Sequence, residues 1–216
     1  MMRIKTVLLL LSIFQVVKIS HGSSHYLPVY PVIEGEINAT SQFLTYLPSV
    51  SIFYSTCQEA VLSNEILLEL FDFSHVTPDE YARGMHQHIM NAMKAAQVPD
   101  ALEQTGICTN NIAKYHKTLN LPLVLRVNVY TTAKFLLLKG ILNEQNAVPL
   151  ALTFTSFLEK HAKQCVTAGN TEWRFKVLMD GFYDFVAKLN LVCKESAYII
   201  AALISNEWRL ASLYFI

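Results

Sequence analysis

A chain of 216 residues with 17 basic and 17 acidic side chains has no positive excess to neutralise phosphates, which excludes nucleic acid as an expected partner. An apolar content of 52% against 16% charged residues calls for a large core or for apolar surface covered by a partner. Only 7 glycines argue against an all-β fold built on tight turns.

The N-terminus, MMRIKTVLLLLSIFQVVKISHG, has the three parts of a cleavable signal peptide over residues 1–22. Arg3 and Lys5 supply positive charge, and Val7 to Val17 form an apolar run broken only by Ser12 and Gln15. Ser20 and Gly22 give the small–x–small pattern that a signal peptidase pocket accepts. The alternative is an uncleaved anchor, for which the apolar run is too short to span a bilayer comfortably. Cleavage removes Arg3, Lys5 and Lys18, so the 17 basic residues fall to 14 against 17 acidic ones, a net charge of about −3. The expected localisation is therefore extracellular.

Residues 23–37, SSHYLPVYPVIEGEI, contain two prolines and a glycine and read as an extended lead-in. Asn38–Ala39–Thr40 is a glycosylation sequon, which marks Asn38 as a candidate glycan site. Residues 38–216 read as an all-α, multi-helix bundle. It is divisible into two packed halves of about 38–125 and 126–216, each with two cysteines, and an old duplication is one origin for them.

The first expected helices are a short one over Ser41–Pro48 and another over Gln58–Leu70, with Val61, Leu62, Ile66 and Leu70 on one side. The clearest start follows at Thr77–Pro78–Asp79–Glu80. Thr77 can cap, Pro78 fits the first helical position and Glu80 completes a capping box. That helix carries Tyr81, Met85, Ile89 and Met93, with Ala92 and Ala96, on one face; Arg83, Gln87, Asn91 and Lys94 look outward. Ala101–Leu119 carries Leu102, Ile107, Ile112 and Tyr115. Leu121–Leu142 is rich in β-branched residues, but with no second strand to pair with it reads as helix. Helices over Leu150–Val166, from Asn170 or Thr171 to Leu189, and over Glu195–Leu213 complete the chain. In the second of these, Trp173, Val177, Leu178, Phe182, Phe185 and Val186 form a wide stripe, with Gly181 at its edge as a point of close helix approach. No segment beyond residue 22 has the uninterrupted apolar length of a membrane span; the nearest, Ala197–Ile204, ends at Ser205–Asn206–Glu207.

Four cysteines, Cys57, Cys108, Cys165 and Cys193, form an even set, which in a secreted chain points to two disulfides. Three connectivities are open. Cys57–Cys108 with Cys165–Cys193 ties helices within each half, and each bond would contribute about 3–4 kcal/mol through loop closure. No CxxC or CxxH spacing suggests zinc.

Catalytic constellations are not legible. There is no GxSxG, HExxH or glycine-rich phosphate loop. His86 and His88 are two apart, which on a helix turns them to opposite sides; one is expected at a core edge and one in solvent. His161 shares a face with Phe157, Leu158 and Cys165 and reads as partly buried. Glu65/Glu69 and Asp180/Asp184 are carboxylate pairs on single helix faces. They read first as solvated surface, and second as charged surface for a basic partner. With Asp79 and Glu80, Asp180 and Asp184 are the candidate interaction carboxylates. Phe154, Phe157, Trp173, Phe175, Phe182, Tyr183 and Phe185 read as core, or as the lining of an apolar ligand cavity.

Residues 63–96, SNEILLELFDFSHVTPDEYARGMHQHIMNAMKAA, resemble the N-terminal domain of spider silk proteins, the spidroins. Val76–Thr77–Pro78–Asp79–Glu80–Tyr81 stands where that family has a polar helix start, and Ile89–Met90–Asn91–Ala92–Met93 where it has a Met- and Ala-rich helix end. The chain departs from the family in having no tryptophan over residues 23–40 and larger side chains in its later helices. The resemblance implies a five-helix bundle that dimerises as pH falls, through acidic and basic helix faces, with Asp79 and Glu80 as acidic members. Taken together, the expectation is a secreted, non-catalytic protein without cofactor or metal, acting by self-association or with another extracellular protein in silk or another extracellular material. A carrier of an apolar small molecule is the alternative, and a secreted signalling or effector bundle a further one.

Overall fold

Prolines and asparagines set where the helices start. The computed structural model describes residues 43–166, 170–192 and 194–214. Residues 1–22, the lead-in 23–37, Asn38 and Cys193 lie outside the described residues. Among those described there are eight helices and no strand: α1 Pro48–Leu62, α2 Glu65–Leu70, α3 Pro78–Ala95, α4 Ala101–Tyr115, α5 Leu121–Leu138, α6 Ala147–Cys165, α7 Glu172–Lys188 and α8 Lys194–Tyr214.

Pro48 opens α1 instead of closing a preceding helix, because a proline in the first turn forfeits no hydrogen bond. The stripe Val50, Phe53, Cys57 and Val61 is buried at helical spacing. The expected single helix Gln58–Leu70 ends at Leu70 as expected, but it is wrong in its start and in its continuity. The helix starts earlier, and it breaks at Ser63–Asn64, where Asn64 Oδ1 accepts from the N–H groups of Ile66 (3.0 Å) and Leu67 (3.2 Å) and restarts the chain as α2.

The capping box of α3 forms as the sequence predicts: Thr77 N–H donates to Glu80 at 2.8 Å, and Glu80 N–H donates to the Thr77 hydroxyl at 3.3 Å. Tyr81, Met85, Ile89 and Met93 are buried as expected. On α4 the inward face is Thr105, Cys108, Thr109 and Ile112, not the expected Leu102 and Ile107, which are exposed. The threonines qualify as core because each returns its hydroxyl proton to the carbonyl four residues earlier, Thr105 to Ala101 (2.6 Å) and Thr109 to Thr105 (3.0 Å).

The β-branched segment is helical as α5, capped by Asn120 accepting from Leu123 N–H at 3.0 Å. It is long and apolar enough to cross a membrane by length and composition, and 61% of it is buried inside the fold. Burial all round is the pattern of a core helix enclosed by others, and it outweighs strand propensity. Helix α6 begins at Ala147, three residues before the expected Leu150, since Pro149 is tolerated in its first turn.

Three helices leave through a left-handed residue: Gln97 (φ 56°) after α3, Gly140 (φ 71°) after α5 and Asn190 (φ 56°) after α7. In each the next N–H reaches back to the last turn, as Val98 does to Met93 O at 2.9 Å. Glutamine is the poorest of the three residues for this conformation. Gln97→Gly should raise stability by about 0.5–1 kcal/mol, the relieved strain less glycine's extra unfolded-state freedom. A urea titration with an unchanged slope and a higher midpoint would register it.

All described residues belong to one compact unit, Glu36–Ile216. Helix α1 packs on α6 and α5, α3 on α4 and α7, α6 on α7, and α8 on α4, α5 and α3. Gly181 permits the close α6–α7 approach the sequence suggested: a Cβ there would stand 2.8 Å from Leu158 Cδ2. Gly84 does the same for α3 and α7, where a Cβ would meet the Phe175 ring at 2.4 Å. That ring is boxed in by Phe73 (5.1 Å) and Tyr81 (5.3 Å).

The disulfide expectation needs correction. Cys57, Cys108 and Cys165 form no disulfide with one another, and the expected Cys165–Cys193 pairing falls on Cys193, outside the described residues. Cys57 faces α6, its Sγ 3.9 Å from Ala151 O, whereas Cys108 lies toward Tyr81 of α3. Burial raises the Cys57 pKa far above its ordinary value and keeps the thiol protonated, so it packs as a small apolar side chain.

Candidate functional site

The densest concentration of buried polar groups is on α8, in the run Ser205–Asn206–Glu207–Trp208–Arg209. The first four are at most 3% exposed, so the helix is enclosed on every side here. The sequence reading took Ser205–Asn206–Glu207 as the polar end of an apolar run; in the fold it is the interior. Ser205, Glu207 and Trp208 reach groups on other elements. Ser205 accepts a hydrogen bond from Asn111 Nδ2 of α4. Glu207 forms an ion pair with Lys134 of α5. The Trp208 carbonyl accepts from His116 Nε2 at 2.6 Å, and its ring meets the edges of His116 (4.2 Å) and of Tyr81 (5.0 Å). Asn206 Oδ1 accepts from Arg209 at 2.9 Å, while its Nδ2 has no partner.

Around Lys134 the site extends toward the surface. Its ammonium sits 5.7 Å from the Tyr130 ring centre, and Arg126 lies over the same ring at 5.4 Å. Tyr54 of α1 stacks on Tyr130 at 4.7 Å with the planes 5° apart. Burial raises both phenol pKa values and Arg126 opposes it. Burial likewise pulls Lys134 below the ordinary lysine range, and the Glu207 carboxylate resists that shift.

A lysine with a depressed pKa beside a carboxylate has the makings of an amine nucleophile or general base. Here the Lys134 side chain is 0% exposed and that of Glu207 4%, so a substrate reaches Nζ only if α5 and α8 part. The arrangement is suited to fixing how α8 docks. A buried ion pair specifies its partner strongly because either half left alone is costly.

His116 is buried and neutral, with Nε2–H committed to the Trp208 carbonyl. Burial lowers its pKa, opposed by that carbonyl; His88 is lowered too, by burial, opposed mainly by Asp180. Both groups take up a proton more readily in the unfolded chain than in the fold. Stability is therefore full above the unfolded value of about 6.5 and declines as pH falls through the window below it. Asp72, Glu80 and Glu159 have lowered pKa values, from hydrogen bonds to Ser74, Thr77 and Lys163 respectively, and lose their contribution only below about pH 4. Urea titrations at pH 7.5, 6.5 and 5.5 should show unfolding free energy falling across the series, and His116→Gln should flatten the decline.

The residues singled out from sequence are placed individually. His86 and His88 do turn to opposite sides of α3: His86 Nδ1 lies 3.2 Å from the Thr109 hydroxyl of α4, and His88 stacks near Phe175 of α7. Both are half-buried, so neither is the solvent-exposed member expected. His161 is partly buried as expected, with Nε2 2.7 Å from Asp184. Asp180 pairs with Lys176 one turn away. Asp79 is exposed in the first turn of α3, and Glu80 is the capping carboxylate. Among the described residues, no three His, Cys, Asp or Glu side chains stand together as a metal site would require.

Sequence reasoning missed Asn111, His116, Lys134 and Glu207. A signal for the last two was present: Lys134 and Glu207 are opposite charges placed deep in two highly apolar helices, where each needs the other. One turn along the same α5–α8 seam is a cavity of about 20 Å³, lined by Asn128, Thr131, Thr132 and the side chains of Phe154, Phe182 and Ile204 among others. No protein-family model, curated protein or solved structure matches the chain.

Proposed function

We propose that this is a secreted, non-catalytic helical protein that assembles with itself, or with another extracellular protein, as part of an extracellular material such as silk. The observation that carries the assembly reading is the outer face of α6. From Ala147 to Leu158 that helix has no charged residue, and it presents Val148 (45% exposed), Pro149, Leu152 (51%), Thr153 and Ser156 to solvent. A surface helix ordinarily shows charge on its outer side, and an uncharged apolar one marks a contact face. On α4, Leu102 is 70% exposed, which adds to the apolar surface. Lys134, Glu207 and His116 are enclosed, which favours a structural role for them.

Secretion rests on residues 1–22, and the expected Cys57–Cys108 pairing, which the fold does not form, lends it no support. The carrier reading draws on the cavity by Phe154 and Phe182, but about 20 Å³ suits a water-sized molecule, and a larger ligand would have to part the helices.

The test is expression of the full chain in a eukaryotic secretory cell line. The product in the medium should begin at Ser23 and carry a glycan at Asn38. In sedimentation equilibrium, Leu152→Glu should weaken self-association at least tenfold in Kd, because it places a charge in an apolar contact. Retention of an uncleaved chain would remove the secretory part of the proposal. An unchanged association constant for the variant would remove α6 as the contact face.

A further inference from the structure

The geometry points to an ordered internal water molecule bound between Thr131 and Asn128 as a permanent component of the cavity where α5, α6, α7 and α8 meet. The space is right. A cavity of about 20 Å³ exceeds the roughly 10–15 Å³ that one water needs. The chemistry is also right, and the other buried threonines serve as controls. Thr105, Thr109, Thr132 and Thr155 each send their hydroxyl back to the carbonyl four residues earlier, at 2.6–3.1 Å. Thr131 is only 3% exposed, lines the cavity, and has no partner for Oγ1. A buried hydroxyl without a partner costs about 1–3 kcal/mol in general, so an orientation that gives up the usual back-bond implies a partner within the cavity.

Asn128 supplies the second contact. Asn128 lines the cavity, and with its Nδ2 committed to Val124 O at 2.8 Å, Oδ1 is the side-chain atom left to accept. The Tyr81 hydroxyl lies beside the same amide but short of full hydrogen-bond geometry, and a carboxamide oxygen has lone pairs for both. Thr132 Oγ1, donating to Asn128 O, keeps acceptor capacity as a third contact. The water accepts from Thr131, donates to Asn128 Oδ1 and can donate to Thr132, within the two to four polar partners that internal waters use. Phe154, Leu178, Met179, Phe182, Ile200 and Ile204 form the apolar remainder of the wall and hold it in place.

Water-proton cross-relaxation NMR on the full folded protein tests this, together with magnetic relaxation dispersion. The wild-type chain should show a long-lived water with rotating-frame cross-peaks at Thr131. Thr131→Ser, which keeps the hydroxyl, should retain it. Thr131→Val should lose those cross-peaks, lower the dispersion amplitude by about one water, and admit xenon to the now apolar cavity. The inference is overturned if the wild-type chain shows no long-lived water at Thr131. It is equally overturned if the wild-type chain and Thr131→Val bind xenon alike, as a dry apolar cavity would. Should Thr131→Val fail to fold, the wild-type and Thr131→Ser spectra decide the matter.

Discussion

Lys134→Met should lower the unfolding free energy by about 3–5 kcal/mol. The loss comes less from the missing attraction than from what is left behind. Glu207, 3% exposed, would remain a carboxylate in a dry seam with its ammonium partner gone. Glu207→Leu should cost a similar amount by stranding Lys134, which is fully buried. The double variant Lys134→Met/Glu207→Leu places two apolar side chains of comparable volume in the same space. It should recover more than half of either single loss, because desolvating two charges nearly cancels their attraction. Urea denaturation of the four proteins closes the cycle. Additive single losses would show that the two residues act independently and that the pair does not fix α8.

Trp208→Ala should be as severe, at about 3–5 kcal/mol. The indole is 0% exposed and links the aromatic edge of α3, through Tyr81, to His116 behind α4. Truncation leaves a cavity that three helices must close or tolerate. Trp208→Phe should cost less than half as much. The indole Nε1 has no hydrogen-bond partner to forfeit, and the backbone carbonyl that serves His116 is untouched. Near-ultraviolet circular dichroism should show both variants losing the indole signal, and urea midpoints should separate them. A phenylalanine variant as unstable as the alanine one would mean that Nε1 bonds to a group in the interior.

What could be read from the sequence was what depends on neighbours along the chain. The Thr77–Glu80 box, the Tyr81–Met93 stripe and the close approach at Gly181 are local patterns with local causes. Helix α5 was legible only by elimination, because its side chains favour strands and only enclosure by other helices makes it helical. The break at Asn64 was missed because an apolar period continued across it while a single side chain captured two N–H groups. On α4, counting only apolar residues placed Ile112 in the core but also Leu102 and Ile107, and missed back-bonded threonines that bury as readily as leucines.

The expected Cys57–Cys108 disulfide failed for a related reason. An even count of cysteines and an inferred compartment say nothing of direction. The placement of Cys57 between Phe53 and Val61 already marked it as a core position, where a thiol packs rather than bonds. Of the polar hub, only the Lys134–Glu207 pair left a signal in the sequence; Asn111, His116 and Ser205 join it only through the docking of α8 on α4 and α5.

Assembly is tested most directly by sedimentation of the secreted protein over a wide concentration range at pH 7 and at pH 5.5. The expected result is a weight-average mass that rises with concentration and a variant, Leu152→Glu, that stays closer to the monomer. A chain that remains strictly monomeric at high concentration at both pH values would contradict an assembly role.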